Sequence, residues 1–150
     1  MSVTAKVIAW LAPVLLQTQV NQYSQLVDRA ALKYRFDPLF MVALIQAESR
    51  FSRYAKSRTN DYGLGQIHVS KTTNAHLLGR EHLLYDAAYN IKLITKTLRL
   101  WKRYHEKRCG DHSHHWWSHY QWGRIVRNAV SGNRVRKLYL KLRGKFRAGK

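Results

Sequence analysis

Apolar residues recur at Val20, Tyr23, Leu26, Val27, Ala30, Ala31 and Tyr34, the i, i+3, i+4, i+7 stripe of an amphipathic helix. The stripe predicts a helix over residues 20–36. Asp37-Pro38 then reads as a fresh helix start, with Asp as N-cap and Pro in the first turn. The run that follows, PLFMVALIQAESR, is almost wholly apolar as far as Gln46, so this helix is expected to be buried on most sides. Glu48 falls near its C-terminal end. Residues 51–66 (FSRYAKSRTNDYGLGQ) have no clean period and carry Ser, Asn, Asp and two Gly, which predicts a long loop of the kind that often carries function. Asp86 is placed to cap a helix over residues 87–105. Ile91, Ile94, Leu98 and Trp101 lie on one of its faces, and Lys92, Lys96, Arg99 and Arg103 on the other. Residues 109–119 break the pattern, and helical stretches are expected over 120–130 and 134–142. No alternating strand run exceeds a few residues and no segment repeats, so the fold class expected is all-α or nearly so.

At 150 residues the chain is one domain's worth. The expected division is an N-terminal apolar segment (1–19), one helical domain (20–143) and a basic tail (144–150). Within the first, Val7 to Leu16 is an apolar run of ten interrupted by Pro13. A secretion signal has that length, but the flank is weakly charged and QTQVNQ offers no small-residue cleavage site. A buried N-terminal segment is the preferred reading. The single Cys109 excludes an intramolecular disulfide framework. Twenty-seven Lys and Arg face only eight acids, for a net charge of +19. The excess is uneven: residues 1–91 hold ten bases and six acids, residues 92–150 seventeen and two. A polyanionic partner follows, be it nucleic acid, a membrane surface or an anionic cell envelope; charge alone does not choose.

With so few acids, each can be inspected. Burial disfavours the charged form of a carboxyl, so one at the end of an apolar helix is expected to have a raised pKa and to serve as a general acid. Glu48 has that position, and Gly63-Leu64-Gly65-Gln66-Ile67 follows fifteen residues later, a loop whose glycines let backbone groups approach a ligand closely. On these residues alone, an ordinary surface glutamate before an ordinary turn is the commoner explanation.

The ordered set Asp37-Pro38, Glu48-Ser49-Arg50-Phe51, Ala55-Lys56-Ser57, Gly63-Leu64-Gly65-Gln66-Ile67 and Asn90-Ile91 changes that balance. It resembles the lysozyme-like soluble lytic transglycosylases, whose pattern runs through a DP helix start, E-S-x-F, A-x-S, G-L-M-Q-I, an N-I pair and a Y-N-x-G turn. Tyr120-Gln121-Trp122-Gly123 stands where the last turn is expected, and the likeness covers about residues 20–140. Two departures stand out: Gly65 replaces the usual Met, and Gln121 the usual Asn. The resemblance implies a lysozyme-like domain that cuts the β-1,4 bond between N-acetylmuramic acid and N-acetylglucosamine, with no cofactor or metal. Glu48 would protonate the glycosidic oxygen, then take the proton of the muramyl 6-hydroxyl as that oxygen closes on C1, leaving a 1,6-anhydro end. Ser49, Ser57, Gly63, Leu64, Gln66, Ile67, Asn90 and Tyr120 match positions expected to line the cleft or orient Glu48.

Three alternatives remain at this point. A lysozyme-type hydrolase would need a second carboxylate; Asp61 is the local candidate, although an Asp after Asn60 also suits a turn. A basic helical nucleic-acid-binding protein would explain the charge and Trp101-Lys102-Arg103-Tyr104 by phosphate neutralisation and stacking, but not Glu48 before a glycine loop; nucleic acid is disfavoured as partner. Zinc bound by Cys109, His112, His114, His115 and His119 is disfavoured because the ligands crowd into one stretch. Trp116, Trp117 and Trp122 are candidates for sugar stacking or for the core. The expected partners are peptidoglycan glycan strands and, through the basic C-terminal half, an anionic envelope, with the chain a monomer that needs no protein partner. Residues 137–145 (KLYLKLRGK) are cationic and apolar enough to act on membranes. Action at the bacterial wall or periplasm is expected, and size with charge suits a phage lysis enzyme, free or virion-borne, or a secreted one.

Overall fold

The structure, a computed structural model, describes residues 1–109, Tyr120 and residues 133–147. Its helices are α1 (Val3–Leu11), α2 (Gln17–Tyr34), α3 (Pro38–Ser49), α4 (Ala87–Cys109) and α5 (Asn133–Arg147). Between α3 and α4 lie an antiparallel hairpin, β1 (Asp61–Tyr62) and β2 (Ile67–His68), and short 3-10 turns at Ala75–Leu77 and Glu81–Tyr85. The fold is mostly α, as the hydrophobic pattern requires. The helix expected over 120–130 lies, Tyr120 apart, outside the described residues. So do the histidines of the 109–119 cluster and Trp116, Trp117 and Trp122.

Helix α3 is the central element because it is apolar on every side: the seven residues from Leu39 to Ile45 are all buried. Asp37 starts it, its Oδ1 accepting from the Leu39 N–H at 3.0 Å. Helices α1, α2 and α5 pack around it. Helix α1 opens on Ser2, whose Oγ accepts from the Ala5 N–H at 3.2 Å. Its Val7 and Ile8 are fully buried in the same core as α2 and α3. The Thr4 hydroxyl donates to Asp28 of α2 at 2.5 Å. Helix α4 starts at Asp86, which accepts from the Tyr89 N–H at 2.7 Å, and buries Ile91, Ile94 and Leu98 of the expected stripe, with Trp101 half-buried.

The C-terminal part differs from the pattern reading. Helix α5 does not stop at residue 142 but continues through Gly144 to Arg147. Contacts with α1 hold this last turn: Phe146 meets Trp10 edge-on with ring centroids 5.9 Å apart, and the Lys145 ammonium lies 4.0 Å from the Trp10 centroid. At its middle, Tyr139 donates to Asp37 Oδ2 at 2.8 Å and sets its ring edge against Phe40. Val135 and Leu142 are fully buried. The apolar side of residues 137–145 is thus turned to the core, and the cations lie outside it. Among the described residues no helix is long and apolar enough to cross a membrane.

If α5 is part of the core, Leu142→Ala leaves a cavity and destabilises the protein by about 2–5 kcal/mol. Denaturant unfolding measures this; a loss below about 0.5 kcal/mol would mean that α5 is a dispensable surface helix.

Candidate active site

Helix α3 ends abruptly just beyond Glu48. Arg50 and Phe51 both adopt left-handed backbone, with φ of 53° and 63°, a region that disfavours bulky side chains. The Arg50 N–H closes the helix onto the Gln46 carbonyl at 3.2 Å. Burial of Phe51 stabilises the bend: the ring is 1% exposed and stacks on Tyr23 of α2. Glu48, half-buried, is thereby fixed on the last turn of a rigid core helix.

It opens into a cavity of about 810 Å³. Gln66, Ile67 and Tyr120 border the cavity near it, as do Asp61 and His68 of the hairpin. A hydroxyl- and amide-rich edge follows, made of Thr59, Ser70, Thr72, Thr73 and Asn74, and α4 supplies Thr97, Leu100 and Trp101. Such a mixture of polar groups and an indole side chain suits a sugar ring.

The loop between the strands is built by backbone demands. Gly63 has φ +74°, and a Cβ there would lie 2.3 Å from both the Leu84 carbonyl oxygen and Asn90 Nδ2. Its N–H donates to the Ala55 carbonyl at 2.8 Å, and the Gln66 side chain donates to the Gly63 carbonyl at 3.0 Å. Leu64, 1% exposed, anchors the turn in the core. Asn90 is wholly buried and joins three segments: its Oδ1 accepts from the Gly65 N–H at 2.9 Å, and its Nδ2 donates to the carbonyls of Tyr62 at 3.0 Å and Leu84 at 2.8 Å. Gly65 has no room for a side chain, since a Cβ would lie 2.2 Å from Ile94 Cγ1 and 2.7 Å from the Tyr120 hydroxyl. That hydroxyl donates to the Gly65 carbonyl at 2.8 Å. Burial, then the charges of Glu48 and Asp61, raises the Tyr120 pKa well above its ordinary value, so the phenol stays a donor.

Of the residues singled out in the sequence, Glu48, Asp61, Gln66, Ile67, Trp101 and Tyr120 border the cavity. Gly63, Leu64 and Asn90 do not; they shape the loop from behind. Ser49 is buried, its hydroxyl donating to the Ile45 carbonyl at 3.3 Å. Ser57 is turned to Asp61, donating to Oδ2 at 2.5 Å, and Thr59 donates to the same oxygen at 2.6 Å. His68 Nδ1 lies 2.8 Å from Asp61 Oδ1. Burial raises the Asp61 pKa, but these three hydrogen bonds and the charge of His68 outweigh it and hold the carboxyl below its ordinary value. Asp61 is therefore more than a turn residue. Sequence reasoning passed over His68 and the 70–74 edge; the only signal was a Ser-Lys-Thr-Thr-Asn run shortly after the glycine loop. Among the described residues no group of acids, His and Cys is placed to hold a metal ion.

Residues 25–126 match the family model described as the transglycosylase SLT domain. The chain belongs to this family. The matched stretch of the SLT domain includes Glu48, the hairpin, Asn90 and Tyr120. A curated relative, the membrane-bound lytic murein transglycosylase C of Photorhabdus laumondii subsp. laumondii, is 37% identical over 57 residues, which is 38% of this chain and 16% of that protein. The likeness thus spans about a sixth of the relative's length. No solved structure matches the SLT chain.

Two outcomes follow. Asn90→Asp keeps size but turns an oxygen toward the Tyr62 and Leu84 carbonyls; with each unpaired buried group costing about 1–3 kcal/mol, the variant should lose at least about 2 kcal/mol by denaturant unfolding, whereas a neutral result would free the loop from Asn90. Asp61, lowered in the folded state, contributes stability that is present above its unfolded pKa and lost as pH falls through the folded one. The stability gap between wild type and Asp61→Asn should hence be widest near neutrality and close on acidification; a gap constant with pH would sink the assignment.

Proposed function

We propose that the chain is a peptidoglycan lytic transglycosylase with Glu48 as its acid. Support comes from one observation above the others: the half-buried Glu48 ends a rigid core helix and opens into a cavity edged by the glycine loop, Tyr120 and Trp101, in a chain of the SLT family. Glu48 transfers its proton to the oxygen of the β-1,4 bond as the bond to C1 of the muramyl residue breaks. The carboxylate so formed takes the proton of the muramyl 6-hydroxyl while that oxygen bonds to C1. The products are a free 4-hydroxyl on one fragment and a 1,6-anhydro end on the other. Glu48 regains its proton and no water is consumed.

Gln66 and Tyr120 are assigned to the cleft edge, with Asn90, Gly63, Leu64, Ser49 and Ser57 as positioning residues and Ile67 as its apolar margin. The glycan strand is the substrate, and the site of action is the bacterial wall. The excess positive charge and the wall-directed chemistry together support a lysis role of the kind a phage carries.

The position of Asp61 on the same cavity favours a second reading, lysozyme-type hydrolysis with Asp61 activating water. Its oxygens, however, already accept from Ser57, Thr59 and His68, and its lowered pKa makes it a weak base. The single-carboxylate route is the better supported.

Mass spectrometry of fragments released from purified sacculi by wild type and by Glu48→Gln decides. Anhydro-muramyl ends that fall at least about a hundredfold in the variant are the expected result. Reducing ends would mean hydrolysis and move the second role to Asp61. No release by the wild type would overturn the enzymatic reading.

A further inference from the structure

A second concavity, of about 600 Å³, adjoins the Glu48 cavity. Lys96, Arg99, Arg103 and Lys107 of α4 line one side of it. Their spacing of three and four residues puts all four on one face, a row about 16 Å long at the helical rise. Tyr34, at the end of α2, and Tyr104 supply its aromatic wall, and the Arg99 guanidinium lies 6.0 Å from the Tyr34 ring centroid. Leu100, 65% exposed, borders both concavities. The groove is therefore a continuation of the cleft over Leu100.

A row of like charges at this spacing opposes helix formation by a few tenths of a kcal/mol per pair. Among the described residues no acid pairs with any of the four, and Glu106, the one acid of α4, does not line the groove. The cations are gathered in a concave surface beside the cleft, where an external polyanion would neutralise them.

We propose that this groove is a subsite for the carboxylates of the peptide stems borne by the glycan strand in the Glu48 cleft. The inference rests on the glycan reading of that cleft and adds its neighbour. Peptide stems branch from the lactyl groups of muramyl residues and carry free carboxylates, so a strand crossing the cleft presents acids beside it. Arginine forks pair with carboxylates in two-pronged fashion. Tyr34, Tyr104 and Leu100 offer apolar surface to the aliphatic parts of the stem. A glycan stripped of its peptides keeps only the lactyl carboxylate close to the sugar ring and has no stem to lay along the row.

The test is binding, which stands apart from turnover. Soluble glycan strands are prepared from sacculi by endopeptidase, which leaves the stems, and a portion is treated with amidase, which removes them. The protein carries Glu48→Gln so that strands are not consumed, with and without the combined change Lys96→Gln, Arg99→Gln, Arg103→Gln and Lys107→Gln. An unchanged thermal midpoint shows that the combined variant folds. Stem-bearing strands should bind the four-cation protein at least about tenfold more tightly than stripped strands do at 0.15 M salt. The combined variant should lose that difference and match the parent on stripped strands. Equal affinity of the parent for both strands, or an equal loss by the variant on both, overturns the proposal. So does a variant that loses affinity for duplex DNA as much as for stem-bearing strands, which would make the groove a general polyanion surface. Failure of the glycan reading shows separately, as absence of fragments from the wild type on sacculi.

Discussion

One buried amide governs the geometry of this site. Asn90 has no exposure, yet its side chain serves as the meeting point of α4, the hairpin loop and the turn that ends at Tyr85. Three backbone groups that would otherwise be buried and unpaired are satisfied by a single residue one turn into a helix. Aspartate could accept from Gly65 but could not donate to Tyr62 and Leu84; leucine would leave all three unpaired. The demand for an Asn-sized donor and acceptor fixes how close the loop comes to α4, and Gly63 and Gly65 follow from that closeness, since neither site has space for a Cβ. The glycine loop is thus a consequence of tight docking as much as of turn conformation.

The other fixed point is the end of α3. A helix that must bury seven consecutive residues has to be surrounded, and α1, α2 and α5 supply the cover. Two successive residues in left-handed backbone then turn the chain away within a residue of Ser49. That conformation is unfavourable for Phe51 by itself, and burial of its ring against Tyr23 offsets the cost. Strain and burial act together: the chain leaves the core at one place, and Glu48 cannot drift with a fraying helix end.

These constraints were only partly legible in the chain. Asp37-Pro38, the stripes of α2 and α4, and Glu48 at the margin of a core helix were readable because each follows from local propensity or periodicity. Asn90 was found, but as a cleft residue, since a motif records that a residue is needed without recording which way it faces. The structure instead puts its amide into the interior. Asp61 read as a turn former because its Ser57, Thr59 and His68 partners are assembled only when the hairpin closes. The extent of α5 was missed for a similar reason: Gly144 and a run of cations argue for a tail, and only the distant Trp10, 136 residues before Phe146 in sequence, supplies the contact that keeps the last turn helical.

The same contacts explain how so strongly basic a chain folds at all. Along α5, Val135 and Leu142 go to the core while Lys141 and Lys145 lie over the face of Trp10. Aromatic faces give cations a favourable neighbour without an acid, which matters in a protein with eight carboxylates. Several of the few acids have local tasks: Asp37 and Asp86 start helices, Asp61 gathers the donors of the hairpin, and Glu48 stands at the cavity. Among the described cavity-lining residues there is no Lys or Arg, while the adjoining groove is lined by four. The face of α4 beyond Leu100 thus carries, beside the cleft, positive charge able to hold a polyanion.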